Sequence, residues 1–407
     1  MFKQILCFFL PISLFSTPII ELGVDQFFKN GHERLIKNKK VALLTNQTGR
    51  TSNNQSTIEL FLERAKNYQV IALFCPEHGL DGKAYAFEKI KDGSFNKKLP
   101  IYSLHGSTRR PTKKMLTDID VIIFDIQDIG TRAYTYATTL FYVMEEAAKY
   151  NISVIVLDRP NPINGLIVDG PMLESKFRSF IGYINVPYCH GMTIGELAGF
   201  FNHEYNVNCR LKVIPMKGWK REMSFEETGL QWIPPSPNIP ESTTPFFSAT
   251  TGILGELGIV NIGIGYTLPF KLVGAPWINA DQLAAALNKQ KIPGAYFLPF
   301  HYRPFYGSCK GKDCHGVKIQ IINHKIYRPL TTQYYILGIL KSLYPKQFIA
   351  KLKNTSQTKQ NLFNKANGNS TMYQYLIHEK YPARKLISYQ KTERENFRKK
   401  RKKYLIY

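Results

Sequence analysis

The first half of the chain repeats one arrangement of apolar and polar positions. "KVALLTNQTG" (40–49), "QVIALFCPEHG" (69–79), "DVIIFDIQDIG" (120–130) and "SVIVLDRPNPING" (153–165) each open on an unbroken apolar run and close on polar residues. Continuous rather than alternating apolarity predicts strands covered on both faces, as in a parallel sheet. Helical patterns lie between them. Ser56 with Glu59 makes a capping-box signature for "STIELFLERAKN", and Thr193 with Glu196 makes another for "TIGELAGFFNHEY". "TLFYVMEEAAKY" (139–150) has apolar residues at helical spacing. Strands alternating with helices predict an α/β domain with right-handed crossovers.

In such a sheet the carboxyl ends of the strands share one edge, and ligands bind there. The predicted strands end in Asn46 and Gln47, in Glu77 and His78, in Asp125, Gln127 and Asp128, and in Asp158, Arg159 and Asn161. Their convergence predicts a polar site at the sheet edge. No GxGxxG follows the first strand and no GxxxxGK[ST] occurs, which removes support for dinucleotides and nucleoside triphosphates. No GxSxG elbow is present either. Carboxylates, amides, an arginine, a histidine and tyrosines remain, and these suit a polyhydroxylated, amide-bearing sugar. Two carboxyl groups flanking a glycosidic bond are the usual equipment for its hydrolysis.

Composition adds less. At 407 residues and 44% hydrophobic the chain is long enough for two domains with real cores. Lys3, the apolar run over residues 5–15, and Ser16 with Thr17 read as a signal peptide over 1–16, and hence as an exported, periplasmic or extracellular protein. Cys7 sits inside the apolar run, which argues against a lipoprotein anchor. Of the other cysteines, only Cys309 and Cys314 are near enough in sequence to suggest a local disulfide, and no second pair or HExxH spacing supports a metal. The net charge is +24, and "KTERENFRKKRKK" from Lys391 contributes eight basic and two acidic residues. Nucleic-acid modules are not recognisable. The tail reads either as a solvated end or as a contact with an anionic polymer or membrane surface of the envelope.

"LLTNQTG", "FCPEHGLDG", "FDIQDIGTRAYTY", "LDRPNPING", "VDGPML", "HGMTIGELA", "PMKGW", "PPSPNIP" and "LVGAPWI" follow one another in the order of one family. On these motifs, from about residue 22 to about residue 345, the chain resembles the DUF1343 family, the NamZ-type exo-β-N-acetylmuramidases. The resemblance implies a Rossmann-like parallel-sheet domain, placed at 22–244, followed by a smaller α+β C-terminal domain, placed at 245–380; the charge of the remaining stretch marks a basic tail (381–407). It implies removal of non-reducing terminal N-acetylmuramic acid from peptidoglycan fragments, without a cofactor.

Glu77 matches the glutamate of the family's "PEHG" and is the expected general acid/base. Asp169 in "VDGPML" is the expected second carboxylate, with Asp125, Asp128 and Glu88 as alternatives and a structural role open for each. Arg132 and Arg159 are candidates to pair with the lactyl carboxylate of muramic acid, or to pair internally with Asp125 or Asp158. Asn46, His78, Gln127, Asp128, Tyr134, Asn161 and His190 are candidate sugar contacts, and Trp219 and Trp232 candidate stacking surfaces or core. One stretch departs from the family. Where it commonly reads "EGTNxSxGRGT" before "PF", this chain has "GELGIVNIGIGYTLPF" (255–270), with Glu256 at the first glutamate and Ile264 at the arginine. The departure keeps a second reading open, a sugar-binding envelope protein without turnover.

Overall fold

A computed structural model of the protein describes residues 20–407. The signal-peptide segment expected over 1–16 lies outside the described residues. The larger sheet has seven strands: β1 (Lys40–Thr45), β2 (Gln69–Cys75), β3 (Gly93–Phe95), β4 (Leu99–Ser103), β5 (Val121–Asp125), β6 (Ser153–Leu157) and β7 (Arg210–Ile214). They lie in the order β3-β4-β2-β1-β5-β6-β7, and all pair in parallel except β3 with β4. The four apolar runs are β1, β2, β5 and β6, the centre of this sheet.

Their unbroken apolarity has a direct cause, because each strand has helices on both faces. Val41, Leu43, Ile123 and Leu157 point to one face, where they meet Phe27 of α1 (Gly23–Lys29) and Phe61 of α2 (Thr57–Glu63). Leu44, Phe124, Val154 and Val156 point to the other, against Leu140 and Met144 of α3 (Thr135–Lys149) and Leu197 and Phe201 of α4 (Ile194–Glu204). Each such fully buried side chain contributes about 2 kcal/mol. The α4 capping box forms, with Thr193 Oγ1 accepting from Glu196 N and Glu196 Oε2 from Thr193 N. The chain leaves β1 toward β2 on one side and reaches β5 on the other, so a crevice opens at the carboxyl edge there.

From α5 (Thr244–Glu256) onward the architecture changes. β8 (Leu272–Ala275), β9 (Ala295–Tyr302) and β10 (Cys314–Ile321) form an antiparallel sheet in the order β8-β10-β9, with α6 (Ala280–Asn288) between β8 and β9. Helices α7 (Pro329–Leu343), α8 (Pro345–Lys353), α9 (Gln357–Asn367), α10 (Thr371–His378), α11 (Pro382–Ser388) and α12 (Lys391–Arg401) follow. Phe297, Val317, Ile336, Leu340, Phe348 and Leu376 share one core there. The fold is a mostly parallel α/β sheet domain with a smaller domain of antiparallel sheet and helices.

The basic tail is not a free end. Arg394, Phe397, Arg398 and Arg401 recur at three- and four-residue spacing and share one face of α12. Phe397 packs on Phe200, and Arg398 Nη2 donates to Val168 O (2.9 Å). The buried Arg401 guanidinium donates to the carbonyls of Gly165 (3.1 Å), His190 (2.9 Å) and Gly191. Beyond the helix, Tyr407 Oη donates to Asp158 Oδ2 (2.8 Å) and accepts from Met216 N (2.7 Å). Composition hid this arrangement, because counting lysines and arginines does not reveal which face they occupy. Removing the Arg401 guanidinium leaves buried carbonyls unpartnered, so Arg401→Met is expected to lower stability by about 3 kcal/mol in chemical denaturation. An unchanged midpoint would mean that α12 is not a structural strap.

Candidate active site

β2 delivers the chain to Pro76, Glu77, His78 and Gly79. His78 (φ +72°) and Gly79 (φ +80°) are both left-handed, so the chain turns sharply and Glu77 is set at the sheet rim. A non-glycine residue pays conformational energy there. His78 is held by its ring Nδ1, 2.8 Å from Ala84 O, which places the proton on Nδ1. Glu77 Oε2 accepts from Thr135 Oγ1 (2.7 Å) at the start of α3, and Oε1 accepts from Phe87 N (3.2 Å). His105 Nε2 lies 3.6 Å from Glu77 Oε1. Burial drives the His105 pKa down although Glu77 opposes it, so the ring is held neutral.

Glu77 faces a cavity of about 420 Å³ between the two parts of the chain. That volume is in the range of small-ligand sites. His78, Thr131, Tyr134 and Thr135 line it from the first domain, together with Ser236 and Asn238 of the proline-rich segment. Ser248, Ile253 and Glu256 line it from α5, Val260, Ile262, Ile264 and Phe270 from the segment after it, and Leu362 and Ala366 from α9. Glu256 closes α5, and burial pushes its carboxyl up to about 7 against the opposing charge of Lys359. A helix carboxyl terminus also disfavours negative charge.

Of the residues expected from the sequence to act on the substrate, Glu77, His78 and Tyr134 line this cavity, as do Glu256 and Ile264 of the stretch that departs from the family. The structure does not bring Asp169 to Glu77. Asp169 Oδ2 accepts from Thr331 N (3.0 Å) and Oδ1 from Gly170 N (2.9 Å) and Thr331 Oγ1 (3.2 Å), so it caps the first turn of α7. Asp125 and Arg159 form an internal pair, with Nε to Oδ1 at 2.6 Å and Nη2 to Oδ2 at 3.0 Å. Arg132 donates to the carbonyls of Pro171 (2.6 Å), Val186 (2.6 Å) and Ala366 (2.9 Å), and burial lowers its pKa to about 10. Neither arginine lines the cavity.

The strand-end amides brace loops. Asn46 Nδ2 donates to Tyr136 Oη (3.1 Å), which donates to Pro235 O (2.6 Å), beside Ser236. Gln127 Nε2 donates to Asp128 O and Pro160 O, each at 2.8 Å. Asn161 bridges Met192 O (3.0 Å) and Ile163 N (3.1 Å). Asp128 accepts from Gly130 N (2.8 Å), and burial raises its pKa to about 7. His190 accepts from Met192 N (3.1 Å), and burial lowers it to about 3. Glu88 accepts from Tyr85 N (3.1 Å). Trp219 is core beside Tyr407, and Trp232 Nε1 donates to Ile239 O (3.2 Å). His105 and Glu256 went unnoticed as site residues. His105 ends "IYSLH", a fifth polar strand end, and Glu256 stood in the departing stretch.

The model of the N-terminal domain of the exo-β-N-acetylmuramidase NamZ matches residues 41–243, and that of its C-terminal domain matches residues 248–407. This chain belongs to the NamZ family. A peptidoglycan β-N-acetylmuramidase NamZ of Bacillus subtilis is 37% identical over 395 residues, covering 96% of this chain and 92% of that protein. Two crystal structures of DUF1343 proteins from Bacteroides fragilis have the same fold. One is 38% identical with a TM-score of 0.88, the other 27% with 0.74, and each match covers 95% of this chain and 99% of the other. The seven-stranded domain and the helical remainder with α12 are thus the two parts of a NamZ-family chain.

The Glu256 environment sets a pH dependence. The folded-state value lies above the ordinary glutamate value of 4.5, so the fold holds a proton that the unfolded chain releases first, and stability falls as pH rises from about 4.5 to about 7. Glu256→Gln is expected to level that decline and raise stability at pH 8 by about 2 kcal/mol. Denaturation curves of both proteins at pH 5 and pH 8 check it, and an equal decline in both contradicts it.

Proposed function

We propose that this chain is a glycoside hydrolase that releases N-acetylmuramic acid from the non-reducing end of peptidoglycan fragments. The observation that carries the reading is the pairing of Glu77 and Glu256 across one cavity, each contributed by a different part of a NamZ-family chain. Two carboxyl groups in unlike surroundings are what glycosidic cleavage requires. Glu77 is the proton-transfer group at the glycosidic oxygen, held by Thr135 Oγ1 with the neutral ring of His105 behind it. Glu256 is the second carboxyl group, and Tyr134, Ser236 and Asn238 supply polar contacts to sugar hydroxyls and the acetamido group. We extend the reading to an exported protein on the strength of Lys3 and the apolar run at 5–15. The exposed Lys399 and Lys402 of the tail support contact with an anionic envelope surface.

Ile264 in the cavity wall favours the second reading, a sugar-binding protein without turnover. One experiment separates the two. On a MurNAc–GlcNAc disaccharide, Glu77→Gln is expected to lose about 10²–10⁴-fold in turnover while sugar binding persists, since the near-isosteric amide cannot deliver a proton. Asp169→Asn is expected to keep turnover, because that carboxylate is committed to α7. Near wild-type turnover by Glu77→Gln would remove Glu77 from the chemistry. Binding without cleavage by the wild type would establish the second reading.

A further inference from the structure

The charges around the cavity are one-sided. Glu77 and Glu256 line it, and among the described residues no lysine or arginine does. Cations nearby are committed or outside. The Arg132 guanidinium is spent on three backbone carbonyls, one of them that of the lining residue Ala366. Lys359 is exposed on α9 and acts on Glu256 from beside Gly258, outside the lining. His78 also lines it, and its Nδ1 is already engaged by Ala84 O. The wall formed by Ile181, Ile253, Ile262, Ile264, Phe270 and Leu362 is apolar.

Ile264 is not loosely placed in that wall. Asn261 Nδ2 donates to Ile264 O and to Ser308 O, each at 2.8 Å, and Asn261 Oδ1 accepts from Gly263 N (2.7 Å). The loop that presents Ile264 is therefore braced from within. A free carboxylate entering this cavity would meet two carboxyl groups and an aliphatic wall, with no fixed cation to offset its lost hydration. An amide is neutral and brings an N–H donor.

Resting on the muramidase reading above, we infer that this cavity prefers a muramic acid unit whose lactyl carboxyl is in amide linkage to a peptide over one that carries it as a free acid. The rim suits such an extension. Phe87 lines the cavity yet is 70% exposed, and Phe305, two residues before the lining Gly307, is 64% exposed. These aromatic faces offer apolar surface to the first residues of a peptide leaving the cavity.

The test compares two monosaccharides that the enzyme does not consume, N-acetylmuramic acid and N-acetylmuramoyl-L-alanine amide, by titration calorimetry on the wild-type chain. The amide is expected to bind at least about tenfold more tightly, the scale of an unpaired charge in a partly buried site. Ile264→Arg supplies the missing cation and is expected to reverse the order, gaining about tenfold on the free acid. Equal or tighter binding of the free acid by the wild type overturns the inference. If that result comes with cleavage of MurNAc–GlcNAc, the muramidase reading stands and only the preference for the peptide-linked unit falls. If neither sugar binds and no disaccharide is cleaved, both fall together. Should Ile264→Arg fail to fold, the wild-type comparison decides alone.

Discussion

Two buried guanidinium groups join the parts of this molecule, and the cavity depends on them. Arg132 follows β5 and reaches the carbonyl of Ala366 on α9, while holding those of Pro171 and Val186 in its own domain. Arg401 works from the opposite direction, from α12 into the carbonyls of Gly165, His190 and Gly191. Burying a cation is costly unless its donors are matched, and burial lowers both pKa values to about 10. Backbone carbonyls engage the Nη atoms of Arg132 and Nη1 of Arg401, so each arginine orders the chain around it. Removing either would leave unsatisfied carbonyls in a buried interface.

With the two domains fixed in this way, the cavity acquires walls of different character. The first domain contributes Glu77 with its hydrogen-bonded surroundings and the proline-rich segment. The second contributes Glu256 and most of the aliphatic surface. Their environments differ in kind, since Glu77 accepts two hydrogen bonds and Glu256 is desolvated at the end of a helix. A site for proton transfer gains from that asymmetry. The polar residues at the other strand ends serve it indirectly. Asn46 acts through Tyr136 on Pro235, and Gln47 Nε2 donates to Pro234 O (2.7 Å), so both position the segment that carries Ser236 and Asn238.

Much of the fold was legible in the residues alone. The four unbroken apolar runs, the Thr193–Glu196 capping box and the helical spacing over 139–150 that became part of α3 are local patterns, and local sterics and side-chain periodicity suffice to read them. Glu77 was legible for a similar reason, because the turn that presents it is built from its immediate neighbours. Asp169, Asp125, Arg132 and Arg159 show the limit. Each is polar and near a strand end, yet its partner lies far along the chain, as Thr331 does for Asp169 and Ala366 for Arg132. Sequence position states what a side chain can donate or accept. It does not state what stands opposite. The tail from Lys391 makes the same point, since its charge was evident while its docked face was not. The sequence by itself determined the elements, their order and the glutamate at the rim. The tertiary structure alone decided that Glu256 comes to share that glutamate's cavity, because burial and the pairing of distant polar groups exist only once the domains have closed on one another.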